Sequence, residues 1–141
     1  MVFMKRVLLQ LFIVPVIILG IGSCGDKGGS GGGSGDEANL VITLNPPAGS
    51  TQPAAPQTDF PLTVSITSTM PPQGVTIDVK AAPDGSATNF FTESRSSTTA
   101  NNNFTITGTP TGVVCVTTVT VTSKTKATNT VTLSYRYTRK P

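Results

Sequence analysis

The sequence predicts an all-β fold, a single antiparallel two-sheet sandwich of about seven strands, from three observations. From Asn39 onward apolar and polar residues alternate with a period of two, the signature of strands with one buried face. Clusters of Pro, Gly and Asn punctuate that alternation about every ten residues, the spacing of turns in a sandwich. No stretch of the same region carries a helical period.

Taken in order, Leu40, Ile42 and Leu44 form the inward face of a first strand, which ends at Pro46-Pro47 because proline cannot donate to a ladder. Pro53, Pro56 and Pro61 then mark an extended, loop-like connection to about Phe60. Leu62, Val64 and Ile66 face inward on a second strand, and Met70-Pro71-Pro72-Gln73-Gly74 turns into a third with Val75, Ile77 and Val79 inward. Pro83-Asp84-Gly85 is a turn. Thr88 to Arg95 reads as a short edge strand with one of Phe90 and Phe91 inward, and Asn101-Asn102-Asn103 as a tight hairpin, since Asn tolerates the left-handed region.

Phe104 and Ile106 begin the next inward face, which runs to Gly108 and Pro110. Val113, Cys115, Val119 and Val121 share one parity in the penultimate strand, and Val131, Leu133, Tyr135 and Tyr137 share one in the last. The polar run Ser123 to Ala127 joins them. Threonines at 117, 118, 120, 122, 130 and 132 add β-branched residues that favour strands without adding hydrophobicity.

Ahead of this region, Lys5 and Arg6 precede an apolar block from Val7 to Ile21, followed by Gly22, Ser23 and Cys24. A charged start, a short apolar core and small residues before a cleavage point are the parts of a secretory signal. Gln10, Pro15, Gly20 and Gly22 interrupt the block, which is short of the ~20 apolar residues a spanning helix needs. Ile21-Gly22-Ser23-Cys24 resembles the lipobox of bacterial lipoproteins. The resemblance implies diacylglycerol on the Cys24 thiol, cleavage ahead of Cys24 and attachment to a membrane in the bacterial envelope. Gly25 stands where Asp would favour inner-membrane retention, so the same resemblance implies the outer membrane. The expected organisation is a signal peptide over residues 1–23, a lipidated Cys24 with a Gly/Ser tether to residue 38, and a sandwich domain over 39–141. The run Gly25 to Gly35 is too rich in glycine to offset its ordering entropy.

The formal net charge of +3 includes Lys5 and Arg6, which leave with the signal. The remainder is near balance and lacks the dense basic surface of a nucleic-acid binder. With no His in the chain, Ser-His and Cys-His catalysis and His-bound metal are excluded. Cys115 reads as a small buried core residue, a Cys24–Cys115 bridge being the alternative. Asp84, Ser86 and Asn89 follow a turn, and a calcium site there falls short of six to eight oxygens. Asp78 and Asp84 have ordinary uses on an outward strand face and in a turn, which leaves no carboxylate pair for catalysis.

From about Leu40 to Arg139 the pattern is similar to the immunoglobulin-like and fibronectin type III modules of bacterial envelope proteins. It departs from the immunoglobulin motif in having no core Trp, no paired Cys and no tyrosine-corner residue in Thr109 to Cys115. The expected function is a non-enzymatic, cofactor-free, lipid-anchored module that binds or scaffolds a protein or glycan partner. The alternatives are an inhibitor that blocks an enzyme with a loop and, last, a hydrolase. Beyond the lipidation residue Cys24, the expected partner contact is the chain end: Tyr135 and Tyr137 with hydroxyls at the rim, joined by Arg136, Arg139 and Lys140 as cationic groups for an acidic partner.

Overall fold

A computed structural model describes residues 36–141. The expected signal peptide over residues 1–23, the expected lipidation residue Cys24 and residues 25–35 of the expected tether lie outside the described residues. Within them seven strands and no helix form: β1 Ile42–Asn45, β2 Phe60–Ile66, β3 Val75–Pro83, β4 Phe91–Ser97, β5 Asn101–Ile106, β6 Val114–Ser123 and β7 Thr130–Thr138. They build two antiparallel sheets in the orders β1-β2-β5 and β4-β3-β6-β7. This is the expected two-sheet sandwich. A constant-type immunoglobulin domain carries its fourth strand on the first sheet, whereas here β4 pairs with β3 along its whole length, from Ala81↔Phe91 to Val75↔Ser97.

The alternation read from sequence is what separates core from surface. On β3, Val75, Ile77, Val79 and Ala81 have no exposure, and on β2 Leu62 and Val64 have almost none. Each fully buried valine or leucine contributes about 1.5–3 kcal/mol relative to exposure, so these two rows, one from each sheet, form the energetic centre of the domain. Gly74 opens β3 at φ +75°, where a Cβ would also collide with the Ser97 carbonyl, so glycine is required twice over.

Several local expectations are corrected. β4 begins at Phe91, later than Thr88, and both Phe90 and Phe91 are half-buried against the core. The turn between β4 and β5 lies at residues 98–100, and Asn101-Asn102-Asn103 opens β5. Asn102 has the inward parity of Phe104 and Ile106, and is tolerated there because its Nδ2 donates to the Thr99 carbonyl at 2.9 Å. Val113 is 40% exposed, because β6 starts at Val114 after the left-handed Gly112; the inward set is Cys115, Thr117, Val119, Val121 and Ser123.

The two sheets are joined at one side by Arg95 of β4. Its guanidinium lies 4.5 Å from the Phe104 ring centroid and donates through Nη1 to the Asn103 carbonyl at 3.1 Å, so one side chain spans from β4 to β5. At the opposite edge of the second sheet, next to β7, Asn129 anchors the entry of the chain. Its Oδ1 accepts from the Leu40 N–H at 2.9 Å, while Nδ2 donates to Glu37 Oε1 and to the Ala38 carbonyl. Glu37 and Ala38, read from sequence as the end of the tether, are therefore held by the domain.

Asn129 satisfies three partners from one buried side chain, so Asn129→Ala strands the Leu40 N–H and two acceptors. The expected loss is about 1–3 kcal/mol, read as a lower urea midpoint with unchanged m-value. A midpoint within experimental error of wild type would show that the anchor contributes nothing.

Candidate functional site: a pocket beneath the proline-rich strap

The segment between β1 and β2, expected as a loop, is the element that shapes the site. After Asn45 the chain leaves the first sheet and residues 49–55 run parallel to β7, with bridges Thr51↔Arg136 and Ala55↔Arg139. Gly49 N–H donates to the Ser134 carbonyl, Gln52 to Arg136 and Ala55 to Thr138, while Arg136 and Lys140 N–H return bonds to the Ser50 and Ala55 carbonyls. Only three strap N–H groups are needed for these bonds. Pro53 and Pro56, which have none, occupy positions between and after them. A proline-rich stretch can therefore serve as an edge strand and cap the β7 edge against further pairing.

Beneath the strap lies a pocket of about 180 Å3, open at one side and lined by Pro46, Gln52, Pro53, Ala55, Gln57, Phe60, Pro61, Tyr135 and Tyr137. Phe60 and Tyr137 pack at a centroid distance of 4.5 Å, and Tyr135 lies 5.8 Å from Tyr137. The three rings form one aromatic wall. No charged side chain contributes to the lining.

The expected partner-contact residues divide. Tyr135 and Tyr137 are 2% and 1% exposed, so the expectation that their hydroxyls reach the rim is corrected. The core does not thin at the chain end, because the strap and the connection between β5 and β6 close over it. The Tyr137 hydroxyl lies 3.2 Å from Thr109 Oγ1 in that connection. Unlike a tyrosine corner, in which the hydroxyl bonds to backbone a few residues upstream, this contact joins two side chains 28 residues apart.

Arg139 is structural as well. Its Nη1 donates to the Thr109 carbonyl at 3.1 Å and its own carbonyl accepts from the Gly112 N–H. Arg136 and Lys140 remain exposed. Arg136 pairs with Asp84 through Nε at 3.0 Å, which also engages the first of the residues weighed for calcium.

Sequence reasoning placed Tyr135 and Tyr137 at the site and missed Pro46, Pro53 and Phe60. Proline was read as a breaker, and its spacing carries no sign of which strand a segment will lie against.

Two buried hydroxyls behind the aromatic wall, Tyr135 Oη and Thr117 Oγ1, have no hydrogen-bond partner. Burial pushes the Tyr135 phenol up to about 12, the nearby Thr117 hydroxyl opposing and Tyr137 reinforcing the shift. Tyr137 is raised too, first by burial, with Thr109 and Thr117 opposing and Cys115 reinforcing. Cys115 is buried, its Sγ 3.6 Å from the Val113 carbonyl, and burial raises its thiol pKa. That is the opposite of what a nucleophilic thiolate requires.

No protein-family model, curated protein or solved structure matches this chain.

These two are the chain's only tyrosines, so tyrosinate absorbance reports on them alone. Both folded pKa values lie above the unfolded value near 10, so the contribution to stability is complete below about pH 10 and is lost as pH rises through the folded values, for Tyr135 toward about 12. Tyr135 should lower stability by about 1.4 kcal/mol per pH unit in that window, and Tyr137 adds to the loss in the same direction. Tyrosinate absorbance should rise together with loss of the β-type circular dichroism. Ordinary titration near pH 10 with an intact fold would contradict the buried wall.

Proposed function

We propose that this chain is a lipid-anchored protein of the bacterial envelope, bound through acyl chains on Cys24, whose sandwich is a non-enzymatic binding module for a protein or glycan partner. The anchor half rests on the sequence Ile21-Gly22-Ser23-Cys24 after a charged start and a short apolar block. Gly25, with Asp26 one place later, favours the outer membrane. The Gly/Ser tether, with a random-coil span of ~20 Å, would hold the domain clear of the lipid surface.

The binding half is carried by one observation, the open, uncharged pocket between the strap and β7. Partly open apolar pockets with a few polar groups at the mouth are the usual form of a recognition site. Its walls hold no acid, base or nucleophile placed for chemistry, which favours recognition over turnover. The exposed Lys140, with Arg136 beside it already paired to Asp84, suits encounter with an acidic surface, a contribution that falls with salt.

The test compares the full chain with Cys24→Ala in envelope fractions and in crosslinked pull-downs. Wild type should carry acyl chains by mass spectrometry, fractionate with membranes and recover a partner. Cys24→Ala should accumulate as precursor or in the soluble fraction. Identical fractionation of the two without acyl chains would remove the anchor, and an empty pull-down from intact envelopes would remove the binding role.

A further inference from the structure

We infer that the pocket under the strap is a receptor for a single aromatic side chain presented by a protein partner. Size decides first. A sealed apolar cavity of 150 Å3 is large enough to take up benzene, and this pocket, at about 180 Å3 and open at one side, has room for one six-membered ring with a small substituent.

Chemistry decides next between a ring of carbon and a sugar ring. The walls are proline rings, the Ala55 methyl and the Phe60, Tyr135 and Tyr137 rings. A pyranose carries hydroxyls around its periphery, and each one buried there without a partner would cost about 1–3 kcal/mol. Apart from the tyrosines, whose hydroxyls are buried and closed off from an incoming group, the polar side chains of the lining are the carboxamides of Gln52 and Gln57, and the Gln52 amide is already directed to Ser50 Oγ at 2.7 Å. An aromatic side chain needs no such partners inside. It packs on the proline rings and on Phe60, the most accessible of the three rings, where an offset or edge contact is worth about 0.5–1.5 kcal/mol beyond its area.

The mouth favours a ring attached to a peptide over a free aromatic compound. Gln57 is exposed, and its carboxamide offers both a donor and an acceptor, the pair that an extended backbone presents. The absence of charge in the lining excludes an ionised side chain as the inserted group. The partner therefore contributes a Phe or Tyr as the central anchor of its interface, the residue class that dominates such contacts.

The experiment uses the full chain in lipid nanodiscs and follows the Tyr135 and Tyr137 ring signals by NMR during titration. The probes are N-acetyl-phenylalaninamide, N-acetyl-tyrosinamide, p-cresol and methyl glucoside. The expected result is saturable shifts with both amides, weaker ones with p-cresol and none with methyl glucoside. Ala55→Phe, which fills the pocket from the strap, and Gln57→Trp, which covers its mouth from an exposed position, should each weaken amide binding about tenfold or abolish it.

Saturation by methyl glucoside alone overturns the ring assignment in favour of a glycan. Tighter binding of p-cresol than of either amide overturns the protein source, and amide binding that survives both variants places the contact elsewhere. This inference rests on the binding-module reading, and the two fail separately. A recovered partner with no aromatic binding sinks the pocket assignment alone, whereas pocket-dependent amide binding with an empty pull-down sinks the envelope partner alone.

Discussion

The last five residues of β7, with Arg139 beyond them, are held from three directions, and the shape of the domain follows from that constraint. On one side β6 pairs with β7 from Thr122↔Thr130 to Val114↔Thr138. On the other the strap donates from Gly49, Gln52 and Ala55. From the end, the connection between β5 and β6 delivers Thr109, with its hydroxyl on Tyr137 and its carbonyl on Arg139. Together these contacts allow two large aromatic side chains to be buried at a chain end, where a sandwich ordinarily loses its cover. Tyr137 is the better satisfied of the two, and Tyr135 keeps an unpaired hydroxyl that is disfavoured at a level of about 1–3 kcal/mol.

A pocket follows from the same arrangement. The chain serves the first sheet through β1 and then the second through the strap, crossing between them at Asn45-Pro46-Pro47. Pro46 and Pro53 line the space beside Tyr135 and Tyr137 and leave part of it unfilled. Protein interiors normally close such gaps to a packing density of about 0.75, so a partly open space of about 180 Å3 beside two almost fully buried tyrosines is where the fold departs from that norm. The strap side of the lining is held by backbone hydrogen bonds from Gln52 and Ala55 to β7. An incoming group therefore meets a pre-organised surface and loses little to ordering it.

The edges of the two sheets are managed differently. The β7 edge is covered by the strap, and the β4 edge is guarded by the Glu93–Arg95 pair, with Arg95 also laid across Phe104. β1 is only four residues long. On the outer face of the second sheet, Thr120 pairs with Thr132 and Thr122 with Thr130 through their hydroxyls, at 3.0 and 2.9 Å. These cross-strand pairs explain why threonine dominates that face: it supplies β-branched stiffness and local hydrogen bonds while staying compatible with water.

Period-two alternation was sufficient to identify the class of fold, most strand positions and the inward rows of β2 and β3, because side chains on a strand alternate between core and solvent whatever the strand pairs with. It also identified Cys115 as a core residue. The sequence could not reveal what lay beside what. Pro53 and Phe60 became pocket residues, and Arg139 became a pin for the connection at Thr109, only through contacts between positions tens of residues apart. The expectation that Tyr135 and Tyr137 would reach the rim failed for the same reason. Burial near a chain end depends on which remote segment folds over it, and here the segment is one whose prolines read locally as a loop. Local periodicity reports the face a residue takes, while the cover over that face is a long-range property that only the tertiary structure decides.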